Sequence, residues 1–154
     1  MDILAHFLWT LGIFFKQKKA WLFGIIGFLP DLISFGPHFV YNIAFNGFKF
    51  GKPDINTIPD YIMTMYNLTH SLIVFLIVFA IVYFFFKEYV LFLLPWVIHI
   101  LIDIPTHSKA FFPTPFLWPI SGFMVDGISW GAPWFMITNY SLLVTFLAYR
   151  VFTK

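Results

Sequence analysis

LTHSLIVFLIVFAIVYFFF, residues 68–86, decides the fold class. Beyond Ser71 the stretch carries no polar group except the Tyr83 hydroxyl. Its 19 residues match the roughly 20 that an α-helix needs to cross the hydrocarbon core of a bilayer. Only Thr69, His70 and Ser71, at its start, interrupt the apolar run. Four further apolar segments surround it, at 3–15, 20–32, 89–104 and 134–152. Those at 3–15 and 20–32 are short for a full crossing. Pro30 is expected to kink or turn the second, freeing backbone groups beside Asp31.

The composition points the same way. Of 154 residues, 60% are hydrophobic and 10% charged, against about 25% charged in a soluble domain. Mean hydropathy is +0.86. Such a chain cannot cover a water-soluble surface, so the expectation is an all-α, polytopic membrane bundle of about five helices, forming one domain over 1–154. Six tryptophans and seven tyrosines suit the membrane–water interface. A net charge of +2 with no basic cluster beyond Lys16, Lys18 and Lys19 gives no reason to expect nucleic acid. The first segment lacks the basic region and cleavage site of a signal peptide and reads as a retained helix. Two long connections, at 35–66 and 108–133, hold the remaining polar residues.

The ionisable residues inside the segments fall in a pattern. His6 lies near the start of the first, Asp31 closes the second, His70 opens the third, and His99 and Asp103 end the fourth. If consecutive segments cross in opposite directions, all of these positions share one face. Ionisable groups in apolar spans are costly and mark function by default. Imidazole with carboxylate is also the ligand set of zinc and similar metals, and with no cysteine in the chain a metal must be held by nitrogen and oxygen.

His99-Ile-Leu-Ile-Asp103 has the i, i+4 spacing that stacks two side chains on one helix face. The competing explanation, a His–Asp pair joining helices, is weaker in an apolar span, where an ionised Asp must be paired or bind a metal. His107 extends the same face as a second-metal ligand if the helix survives Pro105, and leaves it otherwise. Asn67 or Thr69 is expected to cap the third helix, with His70 in its first turn. His38, in Gly-Pro-His, reads as a turn residue, and Asp126 as a turn residue or an outer support of the site.

Counting Lys and Arg by face sets Lys16, Lys18, Lys19, Lys87, Arg150 and Lys154 against Lys49, Lys52 and Lys109. The positive-inside tendency makes the first face cytoplasmic. The chain is then expected in a prokaryotic cytoplasmic membrane, with its His/Asp group toward the extracytoplasmic face.

With these residues in place the chain resembles the YdjM-type family of membrane-bound metal-dependent hydrolases over residues 1–122. The carriers are His6, Gly24-Ile-Ile-Gly-Phe-Leu-Pro-Asp31, Thr69-His70-Ser71, His99-Ile-Leu-Ile-Asp103, Thr106-His107-Ser108 and Leu117-Trp118-Pro119. That family is similar in turn to the zinc phospholipase C and P1 nuclease group. The resemblance implies a zinc phospholipase C-like core with one or two zinc ions, or manganese. Asp31, His70, His99 and Asp103 would form the main metal site. His6 would serve a neighbouring metal with Asp103 bridging, and His107 would be a further ligand. The chain departs from the soluble enzymes in having no His-x-x-x-Glu pair after His107; its only glutamate is Glu88.

The expected activity is hydrolysis of a phosphate ester in a membrane lipid or lipid-linked phosphate, with Asp31, His70 and Asp103 as catalytic residues. His38, Lys109 and the start of the third helix would offset phosphate charge, and Phe116 and Trp118 would line an apolar entrance. Three other classes stand beside it, of which a haem protein with two axial histidines leaves Asp31 and Asp103 unexplained. An ion- or proton-handling transporter would need polar residues continuing toward the other face, which segments three and five lack. A structural metal-binding membrane protein would hold its metal in a closed site, where an enzyme keeps a coordination position open.

Overall fold

Asp2 starts the first helix by accepting a hydrogen bond from the Ala5 amide on its Oδ1, at 3.0 Å, and so satisfies one of the donors left free at a helix N-terminus. From there the computed structural model describes residues 1–47 and 57–153. Lys49, Lys52 and Lys154, used in the charge count above, lie outside the described residues.

Among the described residues six α-helices follow one another: α1 (Ile3–Ile13), α2 (Ala20–Asn46), α3 (Asp60–Thr69), α4 (Leu72–Phe85), α5 (Val90–Thr106) and α6 (Pro133–Phe152), with a 3-10 turn, Lys87–Tyr89, leading into α5. Helix accounts for 72% of the described residues, and no strand occurs among them. Three helical stretches, Ala20–Asn46, Lys87–Thr106 and Pro133–Phe152, are long and apolar enough to cross a membrane. The pair α3 and α4, bent by 54° at its break, makes a fourth if taken as one span.

Two expectations about the elements are corrected. The second segment does not end at Leu32. It continues through Pro30 and Pro37 to Asn46, into what the sequence suggested was a loop, and α3 occupies the end of that same connection. Pro30 has no N–H for the carbonyl one turn earlier, yet apolar surroundings favour continued helix because backbone groups outside a helix would lack partners. Ser34 Oγ donates to the Pro30 carbonyl at 2.9 Å in that turn.

The third segment, in turn, is not one straight helix capped by Asn67 or Thr69. It breaks after Thr69, His70 terminates α3, and Ser71 caps α4, its Oγ accepting from the Ile73 and Val74 amides at 3.1 and 3.2 Å. Neighbouring elements satisfy the interrupted backbone. Trp96 Nε1 donates to the Thr69 carbonyl at 2.6 Å and the Leu72 amide to the Phe116 carbonyl at 2.9 Å. The Ser71 hydroxyl donates to the Trp118 carbonyl. Phe116 and Trp118 thus fasten the 107–132 connection to the start of α4. Ser71→Ala removes the cap and the strap together. It is expected to cost about 1–2 kcal/mol, read by thermal unfolding in detergent, with faster hydrogen exchange around 115–121.

α2 occupies the centre, packed on α1, α3 and α5, while α6 lies outside and packs on α1. Burial is inverted relative to a water-soluble protein. His6, Thr10, Ser34, His70, Ser71, His99 and Asp103 are fully enclosed, whereas Phe84, Phe85 and Ile137 are at least 70% exposed. Apolar exposure on this scale exceeds what a soluble monomer tolerates and is consistent with membrane association.

Candidate metal centre

Three helices and one helix break converge on the buried polar centre. α1 brings His6, the middle of α2 brings Asp31, and the α3–α4 break brings His70. α5 brings His99 and Asp103, one turn apart, and its C-cap brings His107. Asp31 sits mid-helix and not at a helix end, because α2 runs on past it.

Asp31, His70, His99 and Asp103 each offer a ligand atom, and these atoms lie within 4.8 Å of one another. The group could hold a metal ion. Its edges can be compared with a tetrahedron. Ligands about 2.0–2.1 Å from a tetrahedral zinc lie about 3.3 Å apart. The His70 and His99 Nε2 atoms are separated by 3.0 Å. His70 Nε2 lies 3.3 Å from Asp31 Oδ1 and 3.5 Å from Asp103 Oδ2. His99 Nε2 lies 3.8 Å from Asp31 Oδ1 and 3.2 Å from Asp103 Oδ2. These five edges scatter around the expected value.

The hydrogen bonds of the outer ring nitrogens set which atom faces inward. His99 Nδ1 lies 2.7 Å from the Gly27 carbonyl and His70 Nδ1 3.1 Å from the Tyr66 carbonyl. A carbonyl only accepts, so each Nδ1 carries a proton and it is the Nε2 of each ring that faces the carboxylates. Buried carboxylates facing these Nε2 atoms need positive charge beside them, which a metal ion among the four would supply. Asp103 Oδ2, buried without a hydrogen-bond partner, marks the same deficit. Anchoring of the outer nitrogen by a carbonyl is also the usual support of a metal-bound histidine.

The other oxygen of Asp103 faces a second group. Oδ1 lies 2.9 Å from His6 Nε2 and 3.4 Å from His107 Nε2, and it accepts from the Met1 amino group. That amine is 2.8 Å from His107 Nε2. His107 repeats the pattern of the first two histidines, with Nδ1 held by the Phe112 carbonyl at 2.7 Å and the Tyr66 hydroxyl 3.1 Å away. Burial holds its imidazole below the ordinary range, so at neutral pH Nε2 bears a lone pair. His6 Nδ1 is buried without a partner, and its ring stacks on His99 with centroids 3.7 Å apart. Pro105 does not break α5, which ends only at Thr106, and this is how His107 stays one turn above Asp103.

The structure therefore gathers His6, Asp31, His70, His99, Asp103 and His107. It leaves out His38, half-buried on α2 two turns beyond Asp31, and Lys109, which is exposed. Asp126 is exposed too and accepts from the Lys109 amide at 2.7 Å. Sequence reading overlooked the supporting carbonyls of Gly27, Tyr66 and Phe112. Carbonyls carry no residue signature, but the Gly24-x-x-Gly27 spacing could have signalled a close helix approach.

No family model matches the chain, no curated protein matches it, and no solved structure matches its fold.

Proposed function

We propose that this chain is an integral membrane, metal-dependent hydrolase of the YdjM type that cleaves a phosphate ester in a lipid-like substrate. The observation that carries the metal is the near-tetrahedral set of Asp31, His70, His99 and Asp103, with both imidazole Nδ1 atoms tied to backbone carbonyls. Zinc held there would supply a water acidified to a pKa of about 7 and a Lewis acid for a phosphoryl oxygen. Asp31, still 5% exposed where Asp103 is fully sealed, would orient the attacking water and accept its proton. His70 and His99 are fixed in tautomer by their carbonyls and so present constant ligand atoms.

Support for catalysis over a purely structural metal comes from the surplus of donors. A closed structural zinc site needs four ligands, whereas His6 and His107 stand at the remaining oxygen of Asp103. Support for the lipid-like substrate comes from depth: α2 and α5, two of the membrane-length helices, hold the site.

The test is metal analysis of detergent-purified protein by inductively coupled plasma mass spectrometry, beside hydrolysis of phospholipid and polyprenyl-phosphate substrates. One or two zinc or manganese ions per chain, with activity lost to a chelator and regained on adding zinc, is the expected result. A folded protein that takes up no metal on reconstitution sinks the hydrolase reading.

A further inference from the structure

Helices α5 and α6 do not pack on each other among the described residues. The gap between them is a groove of about 410 Å³, walled by Leu101, Ile102 and Pro105 of α5, Phe135 and Asn139 of α6, and Trp9 of α1. This volume lies in the range of small-molecule sites. Both long walls are membrane-length helices, so the neighbour of the groove in a bilayer is lipid. Met1 is part of its lining, and the Met1 amine contacts Asp103. One residue of the groove lining thus touches a member of the candidate metal centre.

Two polar side chains interrupt the apolar lining: Thr106, whose hydroxyl donates to the Ile102 carbonyl at 2.9 Å, and Asn139. Asn139, 7% exposed, accepts from Trp9 Nε1 on its Oδ1 at 2.9 Å. That bond fixes the orientation of the amide, because an indole N–H only donates. Its Nδ2 is left buried with no partner. A buried donor without an acceptor is costly, and it sits in the wall of an apolar groove. An occupant matched to both features is an apolar chain bearing one carbonyl oxygen.

We propose that this groove binds an acyl chain of a bilayer glycerolipid, with the acyl ester carbonyl accepting from Asn139 Nδ2. The inference rests on the membrane placement above and deepens the proposed activity by naming its substrate class: an acylated glycerolipid whose headgroup would lie toward Met1 and Asp103.

The experiment uses full-length protein in phosphatidylcholine vesicles containing a phosphatidylcholine probe with a diazirine near the acyl ester. Adducts are mapped by mass spectrometry. They are expected to concentrate on α5 and α6 at the groove and to be sparse at Ile81 and Val144, exposed apolar positions away from it. Leu101→Trp fills the groove from a position already 52% exposed and should abolish the groove adducts. Asn139→Leu should lower them about five-fold, the worth of one neutral hydrogen bond. Adducts spread evenly over Ile81, Val144 and the groove overturn the proposal, as does groove labelling indifferent to both substitutions. Metal content of the same samples separates the two readings. Groove labelling in a protein that binds no metal upholds the lipid site and fails the hydrolase. Metal with evenly spread adducts does the reverse.

Discussion

Asp103→Asn is expected to reduce bound metal below about a tenth of the wild-type content, with hydrolysis lost in proportion, since even loss of an outer-sphere partner costs about 10–100-fold in affinity. The reason is the double position of this carboxylate. Oδ2 faces His70 and His99 at 3.5 and 3.2 Å, and Oδ1 faces His6 and His107 at 2.9 and 3.4 Å. Asparagine keeps the shape but removes the charge, and one of its two ends becomes a donor that cannot ligate. Asp31→Asn touches only the His70 and His99 side. If two ions are bound it should remove one, and His6→Ala should remove the other. Mass-spectrometric metal counts on the three variants, each checked for helical content by circular dichroism, separate one ion from two. Full metal content in folded Asp103→Asn would contradict the assignment.

Gly27→Val should be the most damaging change outside the ligands, at about 3 kcal/mol, the upper end for overpacking a close-packed interior. A Cβ at Gly27 would lie 2.6 Å from Thr10 Cγ2 and 2.8 Å from Thr10 Cβ, and closer still to Oγ1. Thr10 cannot swing away, because its hydroxyl donates to the His6 carbonyl at 2.6 Å and lies 3.1 Å from that of Phe7. α1 and α2 must then separate. Small residues at such crossings are the rule for helices packed in membranes. The damage also reaches the metal centre, since the Gly27 carbonyl holds His99 Nδ1. Thermal unfolding and metal affinity should fall together. Thr10→Gly should recover part of the loss in a Gly27→Ala background, a coupling expected only for residues in contact. Wild-type unfolding temperature in Gly27→Val would refute the clash.

Much of the candidate site was legible because a few residue types stand out in an apolar chain. His6, Asp31, His70, His99 and Asp103 are conspicuous among phenylalanines and leucines, and the i, i+4 spacing of His99 and Asp103 dictates a shared helix face. Alternating crossings then place the five at one level without any knowledge of packing. The route of the chain between them was less legible. Pro30 and Pro37 carry strong local signals for a helix end. Tertiary context overrode them, and α2 runs to Asn46. The 54° bend at His70 escaped notice because its cause is distant: carbonyls of Phe116 and Trp118, 44 or more residues away along the sequence, take up the donors of Leu72 and Ser71.

By itself the sequence determined the helical class, the apolar exterior and the identity of the residues that gather at the candidate site, because hydropathy and charge are properties of each side chain wherever it lies. Only the tertiary structure decided how those residues are presented. The outward tether of the His70, His99 and His107 Nδ1 atoms, the division of Asp103 between two groups and the open groove beside α6 all depend on backbone carbonyls and interhelical gaps. Those belong to pairs of helices, and no single residue encodes them.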